Sequence, residues 1–386
     1  MTLKASEVVE YLEQEGQLGA PNGDDEWPEY EEDMGVLHCV DWRRLFSGRD
    51  GELSSGLALE DDPDLMDEIG SNIGRGAPSQ KADVLDVASR RPEVCAWYQP
   101  MHYYGMAWGI FLKDDCLRQI AVDVARWVPS GYRPWVVAPQ LLRVAFSSLF
   151  LHEAYHHKTE AHAVRLMVAE RTPCYRSYRN RVYLPAARSK TTGSLEEALA
   201  NADSLFRMTK VPYRESSPVH EAALSYLRWR FPLDPPGYRD APRYYRAADF
   251  EAGQNILKSQ VQEGVAKPFR TVSQWRVAPN MNESLFGLRS DIWTVVPHGA
   301  RPTIPTFSFP LYRPASTRSV VAALMRKHGY AEVKGGKGSH IKLKSRGLPT
   351  IILPGGRKDL SPVVLKNIAV ALGFRDPGGL LAHLGL

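Results

Sequence analysis

Cysteine is scarce in this chain of 386 residues: there are four, Cys39, Cys95, Cys116 and Cys174, and no two form a C-x-x-C pair. Such spacing argues against a disulfide framework and against a cysteine zinc ribbon, so all four are expected as small buried residues. Long apolar runs are missing as well. The longest, WVVAPQLLRVAFSSLFL, is interrupted by Pro139 and Arg143, and no stretch has the 18 or more apolar residues of a membrane span. The N-terminal MTLKASEVVEYLEQEG lacks the charged start, apolar block and small-residue cleavage site of a secretory leader. These absences lead to the expectation of a cytoplasmic protein with no membrane partner.

An apolar content of 44% and this length allow two or three domains with cores of their own. The net charge of +4 hides a polarity along the chain. Residues 1–100 hold 8 Lys and Arg against 23 Asp and Glu, a balance of −15, whereas residues 316–375 hold 12 against 2, a balance of +10. One end repels nucleic acid and the other attracts it.

Periodicity predicts a short amphipathic helix over 6–15, followed by the solvated acidic run NGDDEWPEYEED. The aromatic segment EVCAWYQPMHYYGMAWGIFL is the best strand or hairpin candidate of the first half. Helices are expected over 117–127, after Pro139, over 218–231 and over 247–263. Ser194 with Glu197 three residues later has the form of a capping box at the start of another helix. The proline-rich 298–315 has the form of an extended linker. Beyond it the order is helix 316–328, strand 331–334, glycine turn, strand 339–344, turn, strand 349–353 and helix 361–372. The expected fold class is α+β, divided into an acidic segment 1–35, a domain 36–297, the linker, and a domain 316–386.

The helix after Pro139 carries LFLHEAYHHK, in which His152 and His156 lie four apart. That spacing puts both imidazoles on one helix face, where they can share a Zn²⁺, with Glu153 beside the metal to take a proton from water. The third ligand expected is Glu197, with Glu196 as the alternative, and Asn201 one turn further on is placed to hold a ligand histidine in one tautomer. His157 and His162 lie off that face, and Glu160 is one turn beyond it. A helix whose histidines are merely polar stays open as the alternative. His152-Glu153-x-x-His156 with Glu197-Ala-x-x-Asn201 resembles the paired metal-binding helices of zincin metallopeptidases, over roughly residues 139–205. The resemblance implies hydrolysis of a peptide or protein substrate, with the aromatic segment as an edge strand and His102, Tyr103 or Tyr183 as oxyanion donors.

In SHIKLKSR a period of two sets Ile341 and Leu343 on one face and His340, Lys342, Lys344 and Arg346 on the other. The glycines of KGGKG before it allow close backbone approach, and Lys334 and Lys337 add charge, so the surface suits phosphates. A histidine among cations stays neutral and able to act as a base. The leading helix ending in His328-Gly329-Tyr330, the Gly338-Ser339-His340 motif and TIILPGGRKDLSPVVLKNIAVALGF resemble the HicA toxins, mRNA interferases of the double-stranded-RNA-binding-domain fold. The resemblance implies RNA as partner and His340 as the catalytic residue.

Together these features predict a zinc-dependent, metallopeptidase-like hydrolase joined to a HicA-like RNA-binding or RNase domain, as in a bacterial or phage toxin or defence protein. The alternative is an mRNA interferase using His340, with the zinc module structural or regulatory. The charge polarity adds an expectation that an antitoxin, or the chain's own acidic N-terminal segment, masks the basic domain.

Overall fold

The computed structural model describes residues 5–19, 34–47, 63–78, 92–132, 134–266, 291–307, 315–333, 340–354, 360, 362–374 and 377–386. Among these residues helix accounts for 62% and strand for 12%, the strands lying in two small sheets, which is the α+β class expected. The chain forms two compact units. A central unit comprises residues 30–98 and 110–306; a terminal unit comprises residues 1–29, 99–109 and 307–386.

In chain order the principal elements are α1 (Ala5–Gln14), β1 (Val36–Cys39), β2 (Ala96–Gln99), β3 (Gly109–Lys113), α2 (Asp114–Ala125), α3 (Pro134–Glu170), α4 (Leu195–Met208), α5 (Ser217–Arg230), α6 (Ala247–Glu263) and β4 (Ile292–Val296). They continue with α7 (Thr317–His328), β5 (Ala331–Glu332), β6 (His340–Ser345), β7 (Leu348–Pro354), α8 (Pro362–Ala371) and α9 (Pro377–Leu384).

The first sheet has the order β1-β4-β3-β2, with β1 antiparallel and β3 parallel to β4. Every residue of β4 is buried, as befits a strand with neighbours on both sides. The aromatic segment of the sequence is only partly extended: a helical turn, Met101–Tyr104, and a 3-10 turn, Gly105–Ala107, separate β2 from β3. Residues 298–306 are anchored rather than free. Thr303 donates its backbone N–H to Asp114 Oδ1 at 2.8 Å, and its hydroxyl bonds the other oxygen of the same carboxylate.

The 37-residue α3 is the spine of the central unit, and it begins at Pro134, with Pro139 inside it. Pro134, at the first helical position, has no intrahelical bond to lose, whereas Pro139 removes the bond that its N–H would make one turn back. Its N-terminal half buries Phe146 and Phe150, which stack with ring centroids 5.5 Å apart and meet Trp42 edge-on. Arg143 on the same helix holds Glu215 with two parallel hydrogen bonds, Nε–Oε1 2.8 Å and Nη2–Oε2 2.9 Å, both side chains buried. The pair ties α3 to the segment that enters α5.

Gly193 and Gly237 bring two backbones together where α4 begins. A Cβ on Gly193 would lie 2.0 Å from the nitrogen of Gly237, and one on Gly237 would lie 2.8 Å from the nitrogen of Ser194. Both have positive φ, which glycine alone adopts freely. Ser194 caps α4 by accepting from the Glu196 N–H at 3.2 Å. The reciprocal half of the expected capping box is not made, because the Glu197 carboxylate is engaged elsewhere.

The four cysteines divide two and two. Cys39 and Cys174 are buried thiols, as expected, but Cys95 and Cys116 are joined in a disulfide with a Cα–Cα distance of 5.5 Å. Their separation of 21 residues gave no pairing signal in sequence. They meet because the strand after Cys95 and the helix containing Cys116 are consecutive around β2 and β3.

The terminal unit has the helix-strand-strand-strand-helix order read from the sequence, with α9 added after it. Its sheet runs β5-β6-β7, all antiparallel, with His340 opposite Pro354 and Leu343 opposite Ile351. Leu343, Ile351 and Leu353 join Val320, Leu324 and Leu365 in one core. On the other face of β6 lie Lys342 and Lys344, and Glu13 of α1 pairs with both, Lys344 Nζ at 4.0 Å. Helix α1 buries Val8, Val9 and Leu12. A Cβ on Gly105 would lie 3.9 Å from both Val9 and Ile352, so α1 and the 99–109 segment cover the outer side of this sheet. No helix among the described residues is long and apolar enough to cross a membrane.

Candidate metal centre

His152, His156 and Glu197 converge in the interior of the central unit, on α3 and α4, which pack side by side. The Nε2 atoms of the two histidines are 3.4 Å apart, and Glu197 Oε2 lies 3.1 Å from the first and 3.4 Å from the second. Four ligands about Zn²⁺ at 2.0–2.1 Å are separated by roughly 3.3 Å along each edge of the tetrahedron. The three donor atoms therefore form one face of such a figure.

The outer nitrogens explain why the inner ones are oriented. His152 Nδ1 lies 2.8 Å from Asn201 Oδ1, and Asn201 in turn donates to the carbonyl of Tyr238 at 3.2 Å. His156 Nδ1 lies 2.7 Å from Glu196 Oε1. An amide oxygen and a carboxylate only accept, so each imidazole carries its proton on Nδ1 and turns a lone pair inward. Of the adjacent glutamates, Glu197 thus faces the cluster, and Glu196 buttresses it from behind. Tyr238 stacks on His152 with ring centroids 5.5 Å apart and planes 13° from parallel.

Two tyrosines complete the outer layer. Tyr178 donates to Glu196 Oε2 at 2.5 Å, and Tyr183 donates to Glu197 Oε1. They lie five residues apart around a π-helical turn, Arg179–Tyr183, whose wide spacing lets both hydroxyls reach α4. The Arg179 guanidinium sits 3.5 Å from the Tyr183 ring centroid. Tyr178 and Glu196 were not assigned these contacts from sequence; the signal available was the recurrence of tyrosine in YRSYRNRVY.

Inner lone pairs and a carboxylate meeting away from water need a positive charge between them. Burial by itself lowers the His156 pKa, but Glu197 and Glu196 reverse this and hold it well above the ordinary histidine value. His152 is raised in the same sense: burial opposes, and the Glu197 hydrogen bond and the charges of Glu153 and Glu197 prevail. Burial tends to raise the Glu197 carboxyl, yet the two histidines hold it well below the usual carboxylate range. The raised histidines and the lowered carboxylate both favour positive charge at this place, and the three atoms lie close enough together to hold a metal ion.

Glu153 is buried beside His152, close enough for its charge to act on that imidazole. His157 and His162 take no part in the cluster. Tyr98 of the edge strand β2 bonds His157 Nδ1 at 2.9 Å and donates to Glu160, so that strand runs alongside α3. Burial pushes the His157 pKa down to about 4 and that of His162 down to about 3, leaving both neutral. Lys158 is buried and pairs with Asp203 Oδ2 at 2.7 Å, a second tie between α3 and α4. The helix expected as a polar surface in the alternative is therefore interior, with Lys158 among its buried residues.

A pocket of about 410 Å³ reaches His152 and Asn201, with Asp123, Tyr226, Arg230 and the Cys95–Cys116 disulfide among its walls. Of the proposed oxyanion donors, Tyr183 is at the cluster; His102 and Tyr103 sit on the short helix Met101–Tyr104 of the terminal unit. On the cationic strand, Lys342 is half-buried and Lys344 and Arg346 are exposed, while His340 is placed by the backbone register opposite Pro354. Lys334, Lys337, Gly338 and Ser339, like the acidic run 22–33, lie outside the described residues. Comparison of the chain with protein-family models, with curated proteins and with solved structures finds no match.

Proposed function

We propose that the central unit is a metal-dependent hydrolase in which His152, His156 and Glu197 hold Zn²⁺ and Glu153 is the general base. The observation that carries this reading is the triangle of inward-facing acceptor atoms, with edges of 3.1 to 3.4 Å, fixed from behind by Asn201, Glu196, Tyr178 and Tyr183. Bound Zn²⁺ would supply Lewis acidity, making a water molecule acidic near neutral pH. Glu153 accepts the water proton at its carboxylate and returns it to the leaving group. Tyr183 steadies the Glu197 carboxylate, and Asn201 keeps the His152 lone pair inward. A peptide is the substrate class that the resemblance of the paired helices to zincin metallopeptidases implies.

Metal content per chain, measured by elemental mass spectrometry on tag-free protein, tests the site. One zinc in the parent and none in the His152→Ala/His156→Ala double variant is the expected result. A well-folded parent that takes up no zinc on addition would overturn it. A second reading makes the metal structural and the terminal unit the effector, an RNA-directed module similar to HicA acting through His340. Burial of all three ligand side chains favours it, because an open coordination position is what separates catalytic from structural zinc. RNA cleavage that persists in Glu153→Gln and is lost in His340→Ala would decide for that alternative.

A further inference from the structure

A second concavity in the central unit, about 820 Å³, opens on the part of α4 beyond the metal ligands and is walled by α4, α5 and α6. Arg207, Lys210, Arg228 and Lys258 line it, against the carboxylates of Asp203 and Glu251. Asp203 is already engaged by two cations, accepting from Lys158 at 2.7 Å and from Arg207 at 2.8 Å through the same oxygen. The balance within the pocket is therefore positive.

Aromatic surfaces accompany the cations. Phe206 is 52% exposed and carries the Lys210 ammonium 4.0 Å from its ring centroid. Tyr244 and Phe250 line the same pocket, half-buried, and Asn255 offers an amide with both a donor and an acceptor. Lys258 is buried, and burial lowers its pKa although Glu251 opposes the shift. The buried Tyr245 hydroxyl has no hydrogen-bond partner among the described residues.

We infer that this pocket binds a nucleotide, with the phosphate held by Arg207, Lys210 and Arg228, the base stacked on Tyr244 or Phe250, and its edge met by Asn255. Cations for the phosphate, π-faces for the base and an amide for its edge are the three kinds of contact that single nucleotides need. The volume lies in the range of small-molecule sites. An inorganic anion would use only the first kind of contact, and a neutral aromatic only the second. The inference does not depend on the metal.

Isothermal titration of the full chain with AMP, adenosine, inorganic phosphate and a 5′-phosphorylated oligoribonucleotide tests it. AMP or the oligoribonucleotide should bind at least about tenfold more tightly than phosphate or adenosine, since both halves of the ligand contribute. Tight binding of AMP identifies a free nucleotide as ligand, and binding of the oligoribonucleotide alone identifies an RNA end. Lys210→Glu/Arg228→Glu, both exposed and so tolerated by the fold, should remove AMP binding, and Lys342→Glu/Lys344→Glu, which alters only the cationic strand of the terminal unit, should leave AMP binding intact. Phosphate binding as tightly as AMP would overturn the assignment. So would AMP binding that survives the pocket variant or disappears with the strand variant, or no binding of any nucleotide.

Discussion

Asn201→Ala is the change that most directly tests how the candidate metal centre is built. Asn201 touches no metal position; it accepts from His152 Nδ1 at 2.8 Å and donates to the Tyr238 carbonyl. Alanine removes the acceptor and leaves a buried N–H without a partner, at a cost of about 1–3 kcal/mol. It also frees the imidazole to place its proton on Nε2, the nitrogen the metal needs. Loss of such an outer partner lowers metal affinity by about 10- to 100-fold, which corresponds to roughly 1.4–2.7 kcal/mol. Stacking of Tyr238 on His152 remains and limits the effect to that range. Competition for zinc against a chromophoric chelator measures it, and Asn201→Asp, which keeps an accepting oxygen, should recover most of the loss. Binding by the alanine variant within about twofold of the parent would refute the reasoning, as would an aspartate variant no better than alanine.

Four further outcomes are expected. Glu153→Gln should keep full zinc content and abolish peptide hydrolysis in a fluorogenic peptide screen, since the amide has the shape of the acid without its basicity. Glu215→Gln should destabilise the central unit by about 3–5 kcal/mol in urea unfolding, because it leaves Arg143 buried without its counter-charge. Cys116→Ser should lower stability by about 3 kcal/mol in the same assay, the entropy of closing a loop of this length. Glu13→Lys should strengthen RNA retention by the chain at low salt and lose the advantage at high salt, since it replaces a counter-charge of Lys342 and Lys344 with a repelling cation.

Much of the His152, His156 and Glu197 cluster was legible because it is written in short intervals. The four-residue interval of His152 and His156 and that of Glu197 and Asn201 are helix geometry, and both pairs face as that geometry demands. What could not be read locally was the partner across the gap. Whether Glu196 or Glu197 points inward depends on how α4 is rotated against α3, which the glycine contact at Gly193 and Gly237 and the buried Lys158–Asp203 pair help to set. The period-two strand of the terminal unit showed its two faces for the same local reason. The Cys95–Cys116 pairing did not show, because it depends on how β2, β3 and α2 turn back on one another. The segment around Met101 to Ala107 misled for a related reason: its aromatic residues favour strands, but glycine at φ +51 and a proline before it make the chain coil between the two strands.

The pairing of Glu13 with Lys342 and Lys344 also has a consequence in time. Helix α1 is ten residues long, too short to persist alone in water. Its partners on β6 and β7 are made long after it. With roughly 330 residues between them and synthesis at about 5–20 residues per second, the N-terminus waits some tens of seconds before its docking surface exists. The terminal unit is therefore sealed only after the ribosome has passed β7. A chain that lacks α1 would leave the cationic strand bare, so it differs from one that carries α1 in what it exposes from the moment it is released.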